Sequence, residues 1–153
     1  MCGIAGCLTK DFINNDLINK ILNSMYNRGP DNQDKIRFEV GKKNLYLFHS
    51  RLSIIDLEPR SHQPFKFRNY TLVFNGEIYN FKDIRDQLIS LGYKFKTKSD
   101  TEVIIKAFSE WKTDCFKKFI GMWSIAIWDE KIKKLYLSRD RFGEKPFYYI
   151  MYR

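Results

Sequence analysis

Strand-forming segments of this chain come in runs, with helix-forming segments grouped between them, an order that favours an α+β fold with antiparallel sheets over alternating β-α-β units. Residues 3–8 are small and apolar and read as a short buried strand. Ile36, Phe38 and Val40 alternate with charged neighbours, residues 41–44 turn the chain, and residues 45–48 return it as a hairpin. Residues 70–74 form a strand that the turn dipeptide Asn75-Gly76 is expected to end. Residues 122–128, 134–139 and 147–152 read as three further strands. A first helix follows Asp16, read as its N-cap, with Leu17, Ile18, Ile21, Leu22 and Met25 at helical spacing until Gly29 and Pro30 stop it. Phe81, Ile84, Leu88 and Leu91 mark a second, closed by Gly92 at C′. Ser99 and Glu102 have the spacing of a capping box ahead of Val103, Ile104, Ala107, Phe108 and Trp111, and a short helical turn at 115–119 ends at Gly121.

The 153 residues suffice for one domain, and a chain of that size buries about 68–70% of its unfolded surface. No run of 18 apolar residues occurs, and the start lacks a basic stretch followed by an apolar one, so the expected location is cytoplasmic. The net charge of +9 is spread over scattered pairs such as Lys42-Lys43 and Lys133-Lys134. Without a nucleic-acid motif, it reads as a solvated surface with at most weak attraction to an acidic partner. Three cysteines at irregular spacing make neither a disulfide framework nor a zinc site. Cys7 and Cys115 read as small buried residues, and His49 and His62 as structural or surface ones.

Cys2 directly follows the initiator methionine, so trimming of Met1 would give it a free α-amine. Such an amine has a pKa of about 7.7–8, which would put a base on the same residue as a thiol nucleophile. If Met1 stays attached, that nitrogen is an amide and cannot serve. A substrate bearing an amide, a carboxylate and an amine would need three further groups. Asn75 and Gly76 offer a side-chain amide and a backbone N–H for a developing oxyanion, although Asn-Gly also makes ordinary turns. Arg51 can grip a carboxylate bidentately or serve a surface ion pair. Glu77 and Asp100 can hold an ammonium, or act as a strand-end charge and a helix N-terminal charge.

Six segments taken together carry a resemblance. They are residues 1–6 (MCGIAG), 28–31 (RGPD), 49–56 (HSRLSIID), 75–80 (NGEIYN), 99–102 (SDTE) and 139–143 (RDRFG). In this order they resemble the class II glutamine amidotransferase domain, and more narrowly the glutaminase half of asparagine synthetase. The Glu-Ile-Tyr-Asn after Asn75-Gly76 and the early Arg-Gly-Pro-Asp distinguish it from hexosamine-forming and phosphoribosylamine-forming relatives.

The resemblance implies the N-terminal nucleophile hydrolase sandwich, two stacked antiparallel sheets between helical layers. It implies hydrolysis of the side-chain amide of L-glutamine through a γ-glutamyl thioester on Cys2. The oxyanion donors fall on Asn75 and Gly76, the carboxylate clamp on Arg51 with backbone contacts from Leu52, Ile54 and Ile55, and the amine ligands on Glu77 and Asp100. The Ser-Gly-Gly-x-Asp-Ser loop that holds ATP in the family's synthetase domain is absent. ATP and magnesium would therefore belong to a missing synthetase domain, with no cofactor expected in this chain. The amidotransferase domain of such proteins extends beyond Arg-Phe-Gly, so a C-terminally shortened domain over 1–153 is expected. A synthetase-type partner or a second copy would complete it, recruited by an apolar last strand. The alternatives are an inactive remnant acting as a binding module and another N-terminal nucleophile hydrolase, an amidase or acylase, against which the Arg51 and Asp100 pair speaks. Nucleic-acid binding ranks last.

Overall fold

A computed structural model describes residues 2–151. Among them, seven strands and four α-helices follow one another as β1 (Gly3–Thr9), α1 (Asn15–Ser24), β2 (Asn32–Val40), β3 (Lys43–Arg51), β4 (Phe65–Phe67), β5 (Tyr70–Ile78), α2 (Phe81–Ser90), α3 (Asp100–Trp111), α4 (Cys115–Lys118), β6 (Gly121–Asp129) and β7 (Lys134–Arg139). Every pairing is antiparallel, in one sheet of order β1-β3-β2 and a second of order β4-β5-β6-β7.

Side-chain alternation sorts the core into three layers. Leu45 and Leu47 of β3, with Phe38 of β2, meet Val73 of β5 and Ala126 and Trp128 of β6, so the two sheets stack face to face. The Phe38 and Trp128 rings lie 5.8 Å apart across this layer. Tyr46 and Phe48, on the other face of β3, pack under α1 with Ile18 and Met25. Leu72 and Phe74 of β5 and Ile125 and Ile127 of β6 carry the helical layer of α2, α3 and α4 through Ile84, Leu88, Ile104 and Phe108. The result is the α+β sandwich of two stacked sheets between helices that the sequence leads one to expect.

Several local expectations are corrected. The helix cap is Asn14, whose Oδ1 accepts the Leu17 N–H at 2.9 Å; Asp16 lies inside the first turn. The hairpin turn is tighter than 41–44, because Val40 pairs with Lys43 and leaves only Gly41 and Lys42, with Gly41 at φ +61. Ser99 does cap α3 through the Thr101 N–H at 3.0 Å. Glu102 does not close the box; its carboxylate accepts the N–H groups of Lys96 and Thr97 and pairs with Lys106.

The largest correction concerns Asn75-Gly76, which is no turn. β5 runs through it, pairing Asn75 with Ser124 and Gly76 with Trp123 on β6. Gly76 has φ +157, and a Cβ there would collide with the Met122 carbonyl oxygen, so glycine is required by a close approach of strands. Residues 147–151 form no strand, and Tyr148, Tyr149, Ile150 and Met151 are exposed. Aromatic composition favours a strand only beside a hydrogen-bonded neighbour, and nothing pairs with this segment among the described residues; Tyr152 lies outside them. No helix among the described residues is long and apolar enough to cross a membrane.

Because the layer between the sheets holds the two halves together, Leu47→Ala should lower the unfolding free energy by about 2–5 kcal/mol. Leu137→Ala, at an exposed position of β7, should cost less than about 0.5 kcal/mol. Urea denaturation of both variants against the parent checks the contrast.

Candidate active site

The antiparallel register sets the first contact. Gly3 pairs with Ser50, so Cys2, one step before, comes beside Arg51 at the end of β3. The Leu52 N–H donates to Cys2 Sγ at 3.4 Å, and Sγ lies 3.7 Å from the Leu52 carbonyl oxygen. The Arg-Gly-Pro-Asp loop staples the same corner. Arg28 Nε donates to the Cys2 carbonyl oxygen at 3.2 Å, the Asp31 N–H to the Arg51 carbonyl oxygen at 3.0 Å, and the Ser53 N–H to Asp31 Oδ2 at 2.6 Å. Gly29 lies against the backbone of Ser50 and Arg51, where a Cβ would collide.

Stacking of the sheets brings the end of β5 to this corner. One pocket is lined by Cys2, Arg51, Leu52, Ile54, Ile55, Asn75, Gly76, Glu77 and Asp100 together, which are all the site residues expected from sequence. The sequence did not single out Ser61, Gln63, Thr101, Met122 and Lys145, which line it too. Gln63 lies two residues before β4, a three-residue strand too short to show periodicity. Lys145 is delivered by a loop that Asp140 organises, its carboxylate accepting the N–H groups of Trp123, Phe142, Glu144 and Lys145. Burial alone would raise the Asp140 pKa, and these backbone donors outweigh it and lower it.

Arg51 is buried, and its guanidinium gathers the loop after β3 around itself. It donates to the carbonyl oxygens of Glu58 at 3.1 Å and Ile55 at 3.5 Å, and to that of Asp56. Asp56 holds a left-handed backbone at φ +52 and accepts the Lys98 N–H at 2.6 Å, tying the loop to the approach of α3. A guanidinium fixed by three carbonyls is a rigid fork.

β5 shows how donors reach the pocket. In an antiparallel strand, alternate residues send their N–H groups to the same side. On the side away from β6, Leu72 faces Phe65 of β4, the Phe74 N–H donates to Gln63 Oε1 at 2.7 Å, and the Ile78 N–H donates to Asp100 Oδ2 at 3.2 Å. The same alternation sends the Gly76 N–H between the last two, at the pocket. Asn75 is 5% exposed, and its Oδ1 has no hydrogen-bond partner among the described residues, an unusual state for a buried amide.

Burial dominates the electrostatics. It pushes the Cys2 thiol above its ordinary range, although the Leu52 N–H and the Arg51 charge pull the other way. It also raises Asp100, at the N-terminus of α3, to about 6, against the hydrogen bonds from Ile78, Thr101 and Ser99 and with the Glu77 charge adding to the rise. His49 is buried, and desolvation lowers its pKa to about 3, so the ring is neutral at physiological pH. It does not line the pocket, and Nε2 contacts the Phe74 carbonyl oxygen at 3.3 Å, which fits its structural reading. Cys115 is buried, as expected, and burial raises its thiol further; Cys7 is only half-buried. Among the described residues no cluster of His, Cys, Asp or Glu is placed to hold a metal ion.

Asp100 carries a sign that can be measured. Its folded pKa lies above the ordinary 3.8, so its protonated form favours the fold at low pH, and that contribution is lost as pH rises from about 4 to about 6. Asp100→Asn should therefore stabilise the ligand-free protein at pH 7 by something on the order of 2–3 kcal/mol, with the gain vanishing below about pH 4. Chemical denaturation at both pH values tests this.

Comparison with known proteins agrees with this geometry. The sequence profile of a family described as "Glutamine amidotransferase domain" matches residues 1–153. The chain is 35% identical to "Asparagine synthetase [glutamine-hydrolyzing] 3" of Bacillus subtilis over 97% of its own length and 25% of that protein. It is 36% identical to "Asparagine synthetase [glutamine-hydrolyzing] 1" of the same organism over 97% of its length and 24% of that protein. It is also 30% identical to "Amidase chry2" of Gibberella zeae over 100% of its length and 24% of that protein. The chain thus spans about a quarter of the length of these relatives.

Proposed function

We propose that this chain, which belongs to the glutamine amidotransferase domain family, hydrolyses the side-chain amide of L-glutamine with Cys2 as nucleophile and delivers ammonia to an asparagine synthetase-type domain or partner. The observation that carries the reading is the convergence of Cys2, Arg51, Asn75, Gly76 and Asp100, from four separate stretches of sequence, on one pocket. The family match supports the substrate class, and the relatives named for glutamine-dependent asparagine synthesis support the destination of the ammonia.

Each group has a defined task in this mechanism. Arg51 takes the α-carboxylate of glutamine, and Asp100 with Glu77 the α-ammonium. This sets the amide carbon against Cys2 Sγ. Burial keeps the resting thiol protonated, so its proton must leave as the sulfur attacks. With Met1 removed, the α-amine of Cys2 accepts that proton; Met1 itself lies outside the described residues. The C–S bond forms, and the carbonyl electron pair moves to oxygen, where the Asn75 side-chain amide and the Gly76 N–H stabilise it. One such donor contributes about 2.7–4 kcal/mol to transition-state stabilisation. Collapse breaks the C–N bond as the amine returns the proton to nitrogen, and ammonia departs. Water then attacks the thioester by the reverse proton path and releases glutamate. ATP and magnesium take no part in these steps and belong to the synthetase half.

A diazoketone analogue of glutamine should label Cys2 and leave Cys7 and Cys115 unmodified. Cys2→Ala should abolish both labelling and ammonia release without unfolding the protein. Peptide mapping by mass spectrometry reads the outcome, and a label on Cys115 or Cys7 would overturn the assignment.

Recognition of the ammonium requires an ionised Asp100. With a free-protein pKa of about 6, glutamine binding should weaken as pH falls below that value, KM rising about tenfold per unit. Asp100→Asn should flatten that limb and raise KM at pH 7.5 by about 10- to 100-fold, the range for a lost charge-assisted hydrogen bond. Arg51→Lys should also raise KM, because a point charge cannot replace the fork. Steady-state kinetics from pH 5 to 8 measure all three.

A further inference from the structure

The edge of β5 away from β6 is covered by a neighbouring strand over only part of its length. β4 pairs Phe65 with Leu72, and two residues further along the register Gln63 would face Phe74. The main chain does not continue the ladder there, since β4 begins at Phe65. Two buried side chains replace it. Gln63 Oε1 accepts the Phe74 N–H at 2.7 Å, and His49 Nε2, reaching across from β3 in the other sheet, contacts the Phe74 carbonyl oxygen at 3.3 Å. A carbonyl can only accept, so Nε2 carries the hydrogen. Both outward groups of Phe74 are thus satisfied by side chains. Gln63 Nε2 goes on to Thr101 Oγ1 at 3.4 Å, the residue after Asp100. Gln63 is 4% exposed and His49 fully enclosed.

Phe74 immediately precedes Asn75 and Gly76. β6 holds β5 from one side only, and on the other side Phe74 is the last anchored residue before the oxyanion donors.

We propose that Gln63 and His49 are positioning residues for the Asn75–Gly76 donor pair, fixing the strand that carries it where no neighbouring strand does so. This rests on the assignment of Asn75 and Gly76 as oxyanion donors in the mechanism above. The donors have to sit where the oxyanion will form, and a displacement of about 1 Å in such a group can cost on the order of 100-fold in rate. The carboxylate contact lies on Arg51, held by the loop after β3, and of the two amine contacts only Glu77 shares β5, Asp100 being held by α3, so loosening of Phe74 should reach the chemical step more than binding.

The test compares Gln63→Met, which keeps the volume and loses the acceptor, with Gln63→Glu, which keeps an acceptor for Phe74, and with His49→Leu. Gln63→Met and His49→Leu should lower kcat for glutamine hydrolysis by about 10- to 100-fold with KM within about threefold of the parent. Gln63→Glu should recover most of that loss. Amide hydrogen exchange by NMR, which needs no turnover, should show faster exchange at Phe74 and Gly76 in Gln63→Met than in Gln63→Glu. A uniform fall in stability with kcat unchanged, or Gly76 exchange equal in all variants, would overturn the proposal. An inactive parent protein would instead remove the functional reading, while the exchange rates would still decide whether Gln63 fixes the Gly76 amide.

Discussion

The contact between the two sheets is the constraint on which the site depends. Cys2 and Arg51 belong to the three-stranded sheet, and Asn75, Gly76 and the residues that face α3 belong to the four-stranded one. The layer of Phe38, Leu45 and Leu47 against Val73, Ala126 and Trp128 puts the ends of β3 and β5 at one corner. The interlock is specific because side chains alternate. Leu45 and Leu47 point to the other sheet while Tyr46 and Phe48 point to α1, so a slip of one residue would exchange the two surfaces. The same parity that buries Val73 between the sheets sends the Asn75 side chain to that side, and the opposite parity sets the Phe74, Gly76 and Ile78 N–H groups along the edge of β5.

Desolvation is what this corner costs and what makes it selective. Burial raises both Cys2 and Asp100, each toward its neutral form. Burial therefore favours the protonated thiol at Cys2, whereas an Asp100 pKa of about 6 leaves that carboxylate mostly ionised at pH 7. On the roles proposed above, the ammonium of a zwitterionic ligand offers Asp100 a counter-charge and its carboxylate offers the same to Arg51. The three carbonyls around Arg51 already stabilise that cation. The arginine is pre-set, whereas the aspartate gains most from the ligand.

Much of this was legible in the sequence, for identifiable reasons. Long periodic segments such as α2 and α3 and the hairpin of β2 and β3 declare themselves by spacing. The candidate residues Cys2, Arg51, Asn75, Gly76, Glu77 and Asp100 are legible as chemistry at strand ends and in loops, Leu52, Ile54 and Ile55 only through the family resemblance, and the structure brings all of them to one pocket. What failed was local propensity in the face of tertiary context. Asn-Gly favours turns in isolation, yet nine residues of pairing with β6 carry the strand through it, and the close approach to Met122 explains the glycine. Residues 147–151 have β-forming composition without a neighbour to pair with. Asn14 rather than Asp16 caps α1, since either side chain can accept a backbone N–H and only the backbone conformation chooses. Gln63 was invisible because its role is to replace a strand with a side chain, which leaves no periodic trace.

The geometry interleaves reaction and recognition. The groups assigned to amide cleavage are Cys2, immediately before β1, and Asn75 and Gly76 on β5, strands whose places are fixed by ladders of main-chain hydrogen bonds. Of the groups assigned to the free amino acid, Arg51 ends β3, Glu77 follows Gly76 on β5, and Asp100 opens α3, with the loop after β3 tied to the approach of α3 through Asp56 and the Lys98 N–H. The family resemblance extends both to proteins named asparagine synthetases and to one named an amidase. In this chain both charged partners, Arg51 and Asp100, line the pocket, and they argue for a substrate that carries its own carboxylate and ammonium.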